Sequence, residues 1–216
     1  MKKIRKLYRS TIKTSNDTTF FSVFLKAIYY YFSYSKLIIA HQNSRIIGAK
    51  NLKINGLLRV GVDFVGFMDT SDKTVLRVKG QLIFKENYSI GKGCRFDIGK
   101  DAIVSIGSGG FITANTKVII MHRLTIGDNC AISWDCQFLD DDLHTIDYHE
   151  KKERNNEIII GNNVWIGCGA KIYKGTIIPD GCVIAANTIV RGVFDVKNSL
   201  IGGQPARIIK SEVHWN

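Results

Sequence analysis

A six-residue repeat constrains this chain more than any other feature. From residue 160 it reads IGNNVW, IGCGAK, IYKGTI, IPDGCV, IAANTI and VRGVFD. Each block opens on Ile or Val, at Ile160, Ile166, Ile172, Ile178, Ile184 and Val190, and the fifth place is small or β-branched at Val164, Ala170, Thr176, Cys182 and Thr188. The register is already present in IGKGCR from Ile90 and in IGDNCA and ISWDCQ from Ile126, with a degraded copy, IGAKNL, from Ile47. Glycine in the second place and Asn, Asp or Gly in the third and fourth are turn residues. Each hexad therefore reads as a short strand and a tight turn, its opening aliphatic and its small fifth-place side chain both pointing inward. Three hexads, about 18 residues, close one triangular coil. From residue 46 to residue 209 the length allows at most about nine coils, with strands paired in parallel along the axis, and fewer once an inserted loop is set aside.

Composition agrees with a coil. Apolar residues make up 45% and charged residues 23%, which excludes a disordered chain, and 20 glycines beside 2 prolines indicate sharp turns inside ordered structure. Of the five cysteines none forms a C-x-x-C pair, so neither a zinc knuckle nor a disulfide framework is indicated and a reducing cytoplasm is the expected compartment. Cys94, Cys130, Cys136 and Cys182 take the fifth hexad place as small core filler, whereas Cys168 takes a third place, at an outward corner.

The period fails after ISWDCQ and Phe138 and resumes at Ile160, with LDDDLHTIDYHEKKERNNEI running through residues 139–158. A solenoid interrupted by a loop with two histidines and clustered acids is placing chemistry at its surface. His144 and His149 are the candidates.

The hexads from Ile160, the closing IGGQPARIIK (201–210) and the preceding DDDLHTIDY together resemble the hexapeptide-repeat acyltransferases, in particular the maltose and galactoside acetyltransferases and the O-acetyltransferases of bacterial surface polysaccharides. The resemblance is strong over residues 124–210, weaker over 46–123, and does not reach the first 45 residues. It implies an all-β fold, a left-handed parallel β-helix with a short N-terminal helical segment and an inserted catalytic loop. The domains expected are residues 1–45, basic and aromatic; 46–210, the β-helix; and 211–216, a tail. It also implies acetyl transfer from acetyl-CoA to a sugar hydroxyl in a homotrimer, with no metal, the cofactor lying between adjacent subunits. His144, in H-T-I-D, would be the general base, a role that neutral imidazole suits. Asp142 or Asp147 would orient it, with solvated loop carboxylates the alternative, and Asn115, Trp134 and Asp142 would meet the acceptor, with interface packing the alternative for Trp134. Trp165, Gly167, Cys168, Ala185 and Ala186 match positions along the pantetheine arm, and Arg191, Arg207 and Lys210 are placed for the phosphates. A lysine that the family carries right after the position of Arg191 is Gly192 here.

Two other functions fit a coil of this kind. One is a metal enzyme resembling the γ-class carbonic anhydrases, because His144 and His149 have an H-x4-H spacing and His122 supplies a third imidazole. The other is a non-enzymatic β-helix that only binds.

The net charge is +11, from 30 Lys and Arg against 19 Asp and Glu, and residues 1–13 hold Lys2, Lys3, Arg5, Lys6, Arg9 and Lys13 with no acid. Such an excess implies an anionic partner, and no nucleic-acid-binding motif is present, which leaves a membrane or a phosphorylated ligand. The segment FFSVFLKAIYYYFSY (20–34) is too short to span a bilayer and carries Lys26 at its middle. It reads as a helix that either packs on the coil or a neighbouring subunit, or lies at a membrane interface with residues 1–37 as the contact. The second case would put a cytoplasmic protein at the inner face of the membrane.

Overall fold

The computed structural model describes residues 18–63, 65–144, 149 and 155–215. Asp147 and the basic segment 1–13 lie outside the described residues. The chain winds into a three-sided parallel β-helix whose faces are sheets of nine, seven and six strands, visited in that order on each turn. Every pairing is parallel except at the end, where Arg207–Lys210 turns back antiparallel to Leu200–Gly202.

The inward places are those the hexads mark. Ile126, Ile132, Ile160, Ile166, Ile172, Ile178, Ile184 and Val190 are buried, and so are Cys130, Cys136, Val164, Ala170, Thr176, Cys182 and Thr188 one coil side on. Each buried Ile or Val contributes about 1.5–3 kcal/mol, and the small fifth-place residue lets three such side chains meet on the axis without a void. Corner residues adopt the left-handed conformation coil after coil: φ is 51–57° at Asn115, Asn129, Asp135, Asn163, Asn187 and Asn198. Asparagine and aspartate tolerate that region, which is why turn chemistry marks the corners. Gly169 shares the conformation, with φ 70°, and a Cβ there would stand 2.2 Å from Asn187 Oδ1 of the next coil.

Three details differ from the sequence expectation. The coil starts ahead of residue 46, because Leu37–Ala40 already pairs in parallel with Leu57–Val60 on the nine-strand face. The degraded copy at IGAKNL is one residue out of phase: Ile47 is exposed, while Ile46 packs against the core. The coil has fewer than nine turns, as expected once the loop after Leu139 is set aside, but a second long insertion, residues 61–73, also interrupts a corner. That insertion has no counterpart in the hexad reading.

The helix Phe20–Tyr34 lies across the open end of the first coil. Tyr30 plugs that end among Ile38, Ala40, Ala49 and Leu52, and Val23 packs on Ile39 and Val62. Ser35 ends the helix in the left-handed conformation, its N–H donating to Tyr30 and Tyr31 carbonyls.

Candidate active site

The three edges of the prism differ in chemistry. The edge between the nine-strand and seven-strand faces is a column of corner residues: Lys92, Ala114, Trp134, Cys168 and Ala186 sit above one another. A ladder of N–H donors links them, from Asn115 to the Lys92 carbonyl (3.0 Å), Asp135 to Ala114 (3.0 Å), Gly169 to Trp134 (3.0 Å) and Asn187 to Cys168 (2.8 Å). Asn115, Trp134, Gly167, Cys168, Ala185 and Ala186 thus share one edge. From Gly167 onward only small side chains stand at its corners, so backbone amides and carbonyls there are open to a long, thin ligand. Asn115 has a structural duty as well, holding a left-handed corner with its side chain laid over Gly93.

Aromatic rings flank this edge. Trp134 meets Phe67 of the 61–73 insertion edge-on, centroids 5.7 Å apart, and both remain exposed. Trp165 stands on the outside of the nine-strand face, its Nε1–H donating to Ser133 Oγ at 3.1 Å. The tail folds back so that Trp215 packs on Trp165 at 6.2 Å and donates Nε1–H to the Asn163 carbonyl. Phe67 and Trp215 were not legible as site residues, because both reach the edge by chain reversals rather than by hexad register.

The acidic loop leaves from a different edge, between the seven-strand and six-strand faces. Asp140, fully buried, anchors its exit by accepting the backbone N–H groups of Met121 (2.7 Å), His122 (2.8 Å) and Arg123 (2.9 Å). Burial pushes its carboxyl above the ordinary carboxylate range, opposed by those three donors. Asp141 pairs with His122 Nε2 at 2.7 Å, which holds the Asp141 carboxyl below its usual value, and Asn156, just ahead of the returning strand Ile158–Ile160, reaches the same nitrogen at 3.0 Å. His122 therefore ties the exit of the loop to its return. An open cleft of about 450 Å³ lies beside it, lined by His122, Arg123, Asn155, Asn156 and Glu157.

His144 is exposed on this loop, with Nδ1 3.4 Å from the Asp142 carbonyl oxygen. The Asp142 carboxylate does not orient the imidazole: it pairs with Lys174 Nζ on the following coil at 2.7 Å. His122 is engaged by Asp141 and Asn156 and not gathered with His144 and His149, as a three-histidine metal site would need. Among the described residues no group of three His, Cys, Asp or Glu stands where it could hold a metal ion.

At the C-terminal end of the coil, Arg191 stacks over the Tyr173 ring at 5.4 Å. Both residues, with Ile189, Gln204, Pro205 and Ala206, line a recess of about 250 Å³. Arg207 and Lys210 sit on the antiparallel closing strand and are exposed. The chain therefore brings together the small-residue edge and the aromatic wall, with Arg207 and Lys210 on the closing strand of the nine-strand face, while Arg191 follows Val190 off the seven-strand face at the same edge as the loop. It does not bring His144 to them: the width of the seven-strand face separates the loop from Asn115 and Trp134.

Residues 157–192 match the family model described as bacterial transferase hexapeptide (six repeats). A 24.8 kDa protein in the cps region of Klebsiella pneumoniae is 34% identical over 203 residues, covering 93% of this chain and 91% of that protein. A protein of Escherichia coli K12 described as a lipopolysaccharide biosynthesis O-acetyl transferase is 28% identical over 151 residues, 64% of this chain and 76% of its own. Among solved structures, the polysialic acid O-acetyltransferase OatWY superimposes with a TM-score of 0.57 at 22% identity, covering 83% of this chain and 89% of that one. This likeness identifies the coil as the left-handed parallel β-helix.

Proposed function

The chain belongs to the bacterial hexapeptide-repeat transferases, an acyltransferase family, and from that premise we propose that it moves the acetyl group of acetyl-CoA to a sugar hydroxyl of a capsular or lipopolysaccharide glycan or its precursor. The observation that carries this reading is the small-residue edge beside exposed Trp134, combined with an exposed imidazole on a loop pinned at both ends. The similarity to a protein described as a lipopolysaccharide O-acetyl transferase supports the acceptor class.

His144 is the base. Its Nδ1 faces the Asp142 carbonyl oxygen, which can only accept, and with the proton on Nδ1 the Nε2 lone pair is free to take the hydroxyl proton. The oxygen would attack the thioester carbonyl, and the proton taken by His144 would pass to the departing sulfur as the C–S bond breaks, leaving the acetyl group as an ester on the sugar and CoA as the free thiol. Gly167, Cys168, Ala185 and Ala186 offer backbone to the pantetheine arm, with Trp165 as a wall. Arg191, Arg207 and Lys210 face the phosphates, while Asn115 and Trp134 hold the sugar. Because base and groove lie on different edges of one prism, the working unit is a homotrimer in which the loop edge of one copy closes on the small-residue edge of its neighbour.

Thiol release from acetyl-CoA across a panel of glycans, wild type beside His144→Ala, tests this. Release should require a surface-glycan acceptor and fall about 10²–10⁴-fold in the variant with its melting temperature unchanged. Transfer only to free maltose, galactosides, serine or an antibiotic would overturn the acceptor, and full activity of His144→Ala would overturn the base.

A further inference from the structure

The helix Phe20–Tyr34 turns its only cation inward and leaves an uncharged apolar stripe outside. Lys26 Nζ donates to the carbonyls of His41 (2.9 Å), Gln42 (2.8 Å) and Ser44 (2.6 Å) at the first corner of the coil. Tyr30 and Val23 anchor the same side. The opposite side carries Phe21, Leu25, Ile28 and Phe32, exposed by 67%, 49%, 37% and 80%. At 3.6 residues per turn these four fall within an arc of about 60°, with Tyr29 and Tyr31 flanking it on either side. Monomeric surfaces do not ordinarily carry such a stripe, and nothing within the described chain packs over it.

We propose that this stripe docks the protein onto an anionic bilayer, lying in the interface and not crossing it. Among the described residues no helix is long and apolar enough to cross a membrane. Three observations select a bilayer as the occupant. The helix has no acidic residue, and the sequence just ahead of it carries six cations and no acid over residues 1–13, a complement to anionic headgroups and a poor cover for phenylalanine and leucine. Tyrosines border the apolar arc, as they do at the boundary of headgroups and acyl chains. The Lys26 anchor holds the helix across the end of the coil, so the stripe faces away from the prism along its axis, clear of both edges that the catalytic reading uses. The inference does not depend on that reading.

Co-flotation of the full chain with lipid vesicles tests it. Wild type should float with phosphatidylglycerol vesicles, at least tenfold less with phosphatidylcholine alone, and less in 0.5 M salt, roughly the regime where screening shortens to a few ångströms. Phe21→Ser/Leu25→Ser/Phe32→Ser should lose at least tenfold of the floated fraction while keeping its thiol-release activity, and so should Lys2→Glu/Lys3→Glu/Arg5→Glu/Lys6→Glu. Failure of wild type to float, equal flotation with both lipids, or unchanged flotation of the triple serine variant would overturn the proposal. A triple serine variant that falls apart by light scattering would overturn it too, by assigning the stripe to a second copy of the chain.

Discussion

Two edges of one prism have been built by opposite means. On the edge that carries Trp134, Cys168 and Ala186, corners follow the repeat without interruption from Tyr88 onward, and each is clamped to the next by a backbone hydrogen bond. What that edge offers a ligand is mainly peptide backbone, which needs small residues and rigid spacing. On the edge that carries the loop, the repeat is abandoned for 18 residues, and side chains do the holding: Asp140 under three N–H groups, His122 between Asp141 and Asn156, Lys174 on Asp142. Backbone can be offered periodically, whereas individual side-chain pairings of this kind require a departure from the period.

The contrast is open to attack at several points. The largest effect is expected in thiol chemistry. Burial pushes the Cys94 and Cys136 thiols up to about 12 and Cys130 to about 11, and Cys182 is fully buried, so native protein should react with a thiol reagent at Cys168 alone, the others lagging by roughly a hundredfold or more. Added CoA should slow Cys168 labelling if the groove is where the pantetheine lies. Labelling of several thiols at once would mean the coil is looser than its ladder.

Next in size, Asp140→Ala strips a buried carboxylate from three part-buried N–H groups and should cost roughly 2–3 kcal/mol in chemical denaturation, more than Asp142→Ala, whose exposed carboxylate meets one half-buried lysine. A glycine pair then compares the edges directly. Gly169→Ala places a methyl against Asn187 in a left-handed corner and should lose roughly 2–3 kcal/mol. Gly192→Ala, at the other edge with φ 106° but open space around it, should lose about 1 kcal/mol for backbone strain alone. Equal losses would show that the ladder adds nothing.

The smallest effect concerns pH. Because Asp141 has a depressed carboxyl in the folded state, its pairing with His122 stabilises above the ordinary carboxylate range and is lost as pH falls through the Asp141 value. The melting difference between wild type and Asp141→Asn should be under about 1 kcal/mol near neutrality and vanish in acid. A difference that grew in acid would reverse the sign assigned to this pair.

Much of the coil could be read from the chain because the hexad is local: one large and one small inward residue in every six is visible without knowing any partner. The four core cysteines and the outward places of Trp165 and Cys168 followed from that register alone. At the insertions, locality failed. The register carries no phase across residues 61–73, so the aromatic contact of Phe67 with Trp134, 67 residues on, was invisible, as was the start of the coil at Leu37. The DDD run before His144 advertised acidity, yet which of three neighbouring aspartates is buried under backbone, which meets His122 and which meets Lys174 depends on where each side chain exits the corner.

Sequence by itself determined the period, the inward residues, the place where the period breaks and the family whose motifs these are. Tertiary structure alone decided which edge each group occupies: that His144 and the Asn115–Trp134 corners stand a face apart, that Trp215 returns to Trp165, and that Lys26 faces in and Phe32 out. The physical reason is that burial in a repeat is fixed by spacing along the chain, whereas the meeting of two side chains is fixed by the number of residues spent at every corner between them.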